Sequence, residues 1–190
     1  MFFGVLDLVA LLVAFGISVH VLDIYFSYFT VLSNILITFV FLYLSSMPQK
    51  KAMKHPLIRI LYGPAVLYMM ITGIVFWTIL RHHHLQVTSS YQWINLTMHG
   101  LMPIAAVVSW TLFAKGLQLR NTDALWWLVF PLLYVFYTLI RGPFAHWYPY
   151  PFLNPAVVGG YAGVAAWVIG ILCGTWIVGT GLVWISKKVR

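Results

Sequence analysis

The stretch "SYFTVLSNIL" (residues 27–36) opens one of the most apolar segments of the chain, yet Thr30, Ser33 and Asn34 lie inside it. A second apolar segment carries Asn95 and His99, four residues apart and in line with Pro103. A polar side chain in hydrocarbon is costly unless something satisfies it, so these residues either tie helices together or do chemistry. The chemistry open to them is acyl transfer. A threonine hydroxyl is a poor nucleophile until a base lies within hydrogen-bond reach, and histidine is the usual base. Donors are also needed for the developing oxyanion, and Asn34 and Asn95 are the candidates. Spacing alone leaves the alternatives open. A threonine in a membrane helix commonly bonds back to the carbonyl four residues earlier, and asparagine commonly bridges helices. His99 differs, because an ionisable side chain inside a span is a functional candidate by default.

The elements that must position these groups follow from composition. Of 190 residues, 62% are hydrophobic and 7% are charged, and several apolar runs approach or exceed the ~20 residues that cross a bilayer. An integral membrane protein is expected. Lipid leaves helices or closed barrels as the choices. The runs are apolar on all sides and lack the ten-residue alternation of barrel strands, so the fold class is all-α. Six transmembrane helices are expected, near 3–22, 27–45, 57–80, 93–114, 124–140 and 156–185, forming a single domain over 1–190. The first run lacks a basic start and leads straight into the second, so it reads as a retained helix.

Charge gives an orientation. Lys50, Lys51, Lys54, Arg59, Lys115, Arg120, Lys187, Lys188 and Arg190 fall on one side, and only Arg81 and Arg141 on the other. The positive-inside rule then places both termini in the cytosol. Spans two and four both start outside. Thr30 lies about one turn in with Asn34 a turn deeper on the same face, and His99 lies about two turns in. Thr30 and His99 therefore occupy similar depths in the outer leaflet on different helices, which suits hydrolysis of a lipid ester.

The outer loop "RGPFAHWYPYPFLNP" is rich in proline and aromatics and could cap a cavity. Arg141, Tyr148 and Tyr150 are its candidate substrate-binding residues. Arg141 could hold a carboxylate or phosphate through two hydrogen bonds, or serve with the tyrosines as an interfacial anchor. Gly159-x-x-x-Gly163 and Gly170-x-x-x-Gly174 in span six are spaced for close helix contact. Asp7, near the cytosolic face, could pair with a loop lysine. His82, His83 and His84 are consecutive and unsuited to converge on one metal, and no cofactor or metal is expected. The net charge of +8 comes without a basic, aromatic-interleaved patch, so nucleic acid is not an expected partner; membrane lipids and a lipid ester are. Two other readings use the same residues: a lipid-binding protein or transporter built on the same polar pocket, and a haem or quinone protein with His20 and His99 as ligands.

Three stretches carry a resemblance: "YFTVLSN" at 28–34, "MHGLMP" at 98–103, and "PLLYVFYTLIRG" at 131–142 followed by "YPYPF" at 148–152. With them, residues 20 to 155 resemble the androgen-induced and androgen-dependent multi-pass membrane hydrolases and their bacterial relatives. The resemblance implies six spans, a threonine nucleophile with a histidine partner, and hydrolysis of fatty acid esters of hydroxy fatty acids. The family threonine falls on Thr30 and the family histidine on His99.

Overall fold

A computed structural model describes residues 1–18, 22–81, 91–115 and 117–188. The histidines at 20, 82, 83 and 84 lie outside the described residues. The secondary structure is helical: α1 (Phe2–Ile17), α2 (Leu22–Tyr25), α3 (Phe29–Ser45), α4 (Gln49–Ala52), α5 (Pro56–Val75), α6 (Gln92–Leu96), α7 (Met102–Phe113), α8 (Asp123–Trp126), α9 (Val129–Ala145) and α10 (Tyr161–Lys188). Two π-helical turns continue the longer helices. Phe76–Leu80 extends α5, and Thr97–Leu101 joins α6 to α7.

Four helical stretches are long and apolar enough to cross a bilayer: Pro56–Leu80, Gln92–Phe113, Asp123–Ala145 and Tyr161–Lys188. α1 and α3 are apolar but only 16 and 17 residues long. At 1.5 Å per residue they reach about 24 and 26 Å, short of a hydrocarbon core of roughly 30 Å.

The chain forms two compact units, Met1–Leu119 with Trp184–Arg190, and Arg120–Val183. In the first, α1, α3, α5 and the α6–α7 rod pack together around Tyr62, Leu67, Met69, Met102 and Trp110. Polar bonds cross these helix pairs at several levels. Asp7 of α1, fully buried, accepts from the Thr38 hydroxyl of α3 at 2.6 Å, so it pairs with a neighbouring helix and not with a loop lysine. The Tyr62 hydroxyl of α5 donates to Ser109 of α7 at 3.0 Å. α5 starts cleanly because the His55 side chain accepts from the Leu57 N–H and Pro56 opens the first turn, where a missing N–H costs nothing.

In the second unit, α9 ends at His146, whose φ of +50° turns the chain into the aromatic loop. α10 begins at Tyr161, later than hydropathy suggests. Gly159 and Gly160 have φ of +79° and +87°, a conformation open to glycine and closed to most other residues, so the helix cannot start before them. Among the described residues the two glycine pairs of this region make no close helix contact within the chain. Gly159 is outside the helix, a Cβ on Gly163 would collide with the Val158 carbonyl, and a Cβ on Gly170 or Gly174 would meet nothing within 4 Å.

Candidate active site

Thr30 sits in the first turn of α3, just after the extended residue Tyr28 that caps the helix. His99 sits in the middle of the π turn Thr97–Leu101. The Thr30 Oγ1 to His99 Nε2 distance is 3.2 Å. On the other side of the ring, Nδ1 lies 3.1 Å from the main-chain oxygen of Asn95. A carbonyl can only accept, so Nδ1 carries the proton and Nε2 offers its lone pair toward the threonine hydroxyl. The arrangement is a hydroxyl, an imidazole and an orienting acceptor in series, as nucleophile activation requires.

Two neighbours fix the histidine further, and both come from the π turn that extends α5. The Phe76 ring stacks on the imidazole, with centroids 4.1 Å apart and planes 25° apart. The Trp77 indole N–H donates to the His99 carbonyl at 2.9 Å. In a regular helix that carbonyl would be bonded by the N–H of residue 103. Residue 103 is proline, which has none, so the carbonyl is left for the indole. Gly73 lets the two helices approach at this level. A Cβ there would lie 2.9 Å from the Pro103 Cβ and 3.6 Å from the His99 carbonyl oxygen. Single π turns recur at functional sites because they place side chains that a regular helix would direct elsewhere.

Asn34 is fully buried one turn below Thr30. Its amide donates to the Thr30 carbonyl at 2.8 Å and to the Met98 carbonyl at 3.4 Å, while its Oδ1 is buried without a hydrogen-bond partner. Both amide protons are thus directed at main-chain oxygens, and Asn34 joins α3 to the residue preceding His99. Asn95, half-buried, meets the imidazole through its main chain and lines a cavity beside it.

His99 forms part of the wall of two cavities. One, of about 270 Å³, is bounded by Ala14, Ser18, Tyr91, Asn95 and Met98. The other, of about 670 Å³, runs between α5 and α7 past Gly73, Trp77, Gly100, Ile104 and Val108. Thr30 belongs to neither wall. It is 9% exposed, with its hydroxyl behind the imidazole edge.

Arg141, Tyr148 and Tyr150 belong to the second unit. The Arg141 guanidinium lies over the Trp147 ring at 5.7 Å. The half-buried Tyr148 packs where Gly142 leaves room, since a Cβ at 142 would come 2.1 Å from its ring. The Tyr148 phenol is held above its ordinary range, first by desolvation and then by the phenol of Tyr161 and the hydrogen bond to it. Tyr150 is buried and stacks on Phe152 with centroids 5.2 Å apart.

The interlocked π turns are the part of the site that sequence reasoning missed. Pro103 within "MHGLMP" was the one available signal, because it removes a main-chain donor. Compared with family models, with curated proteins and with solved structures, the chain matches none.

Proposed function

We propose that this protein is an intramembrane lipid esterase with Thr30 as nucleophile and His99 as general base. It would span a bacterial plasma membrane six times, with α1 and α3 as the two short spans, both termini in the cytosol and Thr30 in the outer-leaflet half. Its substrates are fatty acid esters, with fatty acid esters of hydroxy fatty acids as the example the resemblance supplies. The observation that carries the reading is the Thr30 Oγ1–His99 Nε2 approach of 3.2 Å with Nδ1 committed to the Asn95 carbonyl.

His99 Nε2 takes the proton as Thr30 Oγ1 attacks the ester carbonyl. The tetrahedral adduct expels the alcohol, which leaves with the proton from Nε2. Water then attacks the acyl-threonine, giving a proton to Nε2, and the acid departs as Oγ1 recovers that proton. Negative charge near Thr30 is favoured by its place at the N-terminus of α3, where the helix dipole is positive. Asn95 serves the developing oxyanion from the smaller cavity. Asn34, its amide protons already engaged, acts as a positioning residue. Arg141, with Tyr148 and Tyr150, is a candidate carboxylate or phosphate binder on the second unit.

Purified protein incubated with a fluorophosphonate probe tests this reading. Labelling of the wild type that disappears in Thr30→Ala and in His99→Ala, with folding preserved, is the expected result. Equal labelling of wild type and Thr30→Ala overturns it. A second reading, a lipid-binding protein or transporter, is favoured by one observation: Thr30 lines neither cavity. In that case the Thr30–His99 bond only ties helices, and the probe labels nothing at residue 30.

A further inference from the structure

The two cavities that meet at His99 differ in size, lining and direction. The larger is bounded almost wholly by apolar groups, and its wall follows the α6–α7 rod from Leu96 to Val108. The twelve steps from Leu96 to Val108 make that wall about 18 Å long. Its rim carries exposed apolar side chains, Ile104 at 63% and Val108 at 49%, so the groove opens sideways on a face that suits lipid. Its volume of about 670 Å³ lies within the usual range for pockets that enclose a small ligand, roughly 300–1,000 Å³. The smaller cavity, at about 270 Å³, lies just below that range. It sits at the C-terminal end of α1 and the start of α6, and it has Ser18, Tyr91 and Asn95 in its wall. Helix ends with polar and aromatic residues belong at a membrane–water boundary.

We infer that His99 divides the ester site into two unequal subsites. The α5–α7 groove takes the long acyl limb, and the chamber between α1 and α6 takes a short alcohol limb. This rests on the esterase reading and narrows it to a long fatty acyl group on a small alcohol, which sets aside the long hydroxy fatty acid limb of the example the resemblance supplies. Among the described residues His99 is the one shared by both walls, and its Nε2 meets the Thr30 hydroxyl, so the scissile bond is assigned to that edge of the ring. The leaving alcohol takes its proton from Nε2 and departs through the polar chamber toward water, while the acyl chain stays in the groove on Thr30.

Two series of esters test the assignment on the purified full-length protein. One varies the acyl chain from butanoyl to hexadecanoyl on a fixed methyl alcohol. The other varies the alcohol from methyl to dodecyl on a fixed hexadecanoyl group. The wild type is expected to prefer long acyl chains and short alcohols. Ile104→Trp, which fills the groove, should lower kcat/KM for the hexadecanoyl ester about tenfold or more while sparing butanoyl. Ala14→Phe, which fills the chamber, should narrow the alcohol series and leave the acyl preference alone. Ile104→Ala and Ala14→Gly enlarge the same spaces and should shift the two preferences the opposite way, which keeps the test open where a bulky variant fails to fold. Hydrolysis that depends on Thr30 but shows the same limb preferences in all wall variants, or a wild type that accepts dodecyl as readily as methyl, overturns the two-subsite assignment alone. Hydrolysis absent from the wild type, or undiminished in Thr30→Ala, overturns the esterase reading and the assignment with it.

Discussion

The histidine at the centre of the site makes three separate commitments: its ring N–H to the Asn95 carbonyl, its ring face to Phe76, and its own carbonyl to Trp77. Only Nε2 is left to meet the Thr30 hydroxyl, so the tautomer follows from the Asn95 carbonyl, which cannot donate. Asn34 supports the same point from below. Replacing it tests whether its amide is a tie. Asn34→Ala should cost about 1 kcal/mol, the usual worth of a hydrogen bond between membrane helices. Asn34→Asp should cost more, because a carboxylate would face the Thr30 and Met98 carbonyls with no proton to give and bury an unmet charge. Thermal unfolding in detergent measures both, and equal losses would show that the amide protons do not matter. Much at this scale was legible in the sequence. Counting turns from the outer ends of two spans brought Thr30 and His99 to one depth. What counting could not reach was the direction of the Asn34 protons, because a donor's target depends on which neighbouring carbonyls are left exposed.

At the scale of elements, the two π turns explain why the residues meet. Each widens a helix by one residue, and together they turn Phe76 and Trp77 onto His99. A reading based on 3.6-residue periodicity assumes a regular helix and cannot locate the extra residue. Pro103 announces a missing N–H but not which group will use the freed carbonyl. Pro103→Ala would restore that N–H to compete with the Trp77 indole. The helix should then regain its regular bond, leaving the melting temperature unchanged or higher, while hydrolysis falls as His99 leaves its setting. Trp77→Phe removes the indole donor and should lower both hydrolysis and melting temperature, since the His99 carbonyl loses its partner. A Pro103→Ala variant with full activity would show that the π turn is incidental to catalysis. The first glycine pair of the last span differs from its expected role for a related reason. Spacing suggests a packing seam, but Gly159 and Gly160 have positive φ and end a loop, and φ cannot be read from spacing.

At the scale of the whole molecule, charge and length make different demands. Nine of the eleven lysines and arginines lie on one side of the expected spans, which by the positive-inside rule would put both termini in the cytosol. Among the described residues, four helical stretches have the length of an ordinary span. If α1 and α3 also cross, the bilayer around them must thin or their flanking groups must reach outward to the interface. Reporter fusions test the count. A cytosolic reporter signal at both the N- and C-termini, with an external signal from a fusion after Leu80, fits six spans and the positive-inside rule. An external signal at either terminus would remove the orientation on which the outer-leaflet site depends. Apolar runs made the helical class legible, whereas the division into two compact units depends on side-chain packing that hydropathy does not record.

The buried bond between Asp7 and Thr38 has a consequence at a distance. A helix as short as α1 is poorly held at a set height by bilayer thickness, because sliding by a few ångströms changes its match to the lipid very little. The carboxyl, closed in against its neighbour and leaving one oxygen unmet, acts as a peg that stops such sliding. Ser18 lies eleven residues further along the same rod, about 16 Å away, and forms part of the floor beside His99. In the proposed six-span arrangement the height of that floor would be set near the opposite face of the membrane, and loosening the peg with Asp7→Leu should alter which alcohols are accepted without touching any group placed at the ester.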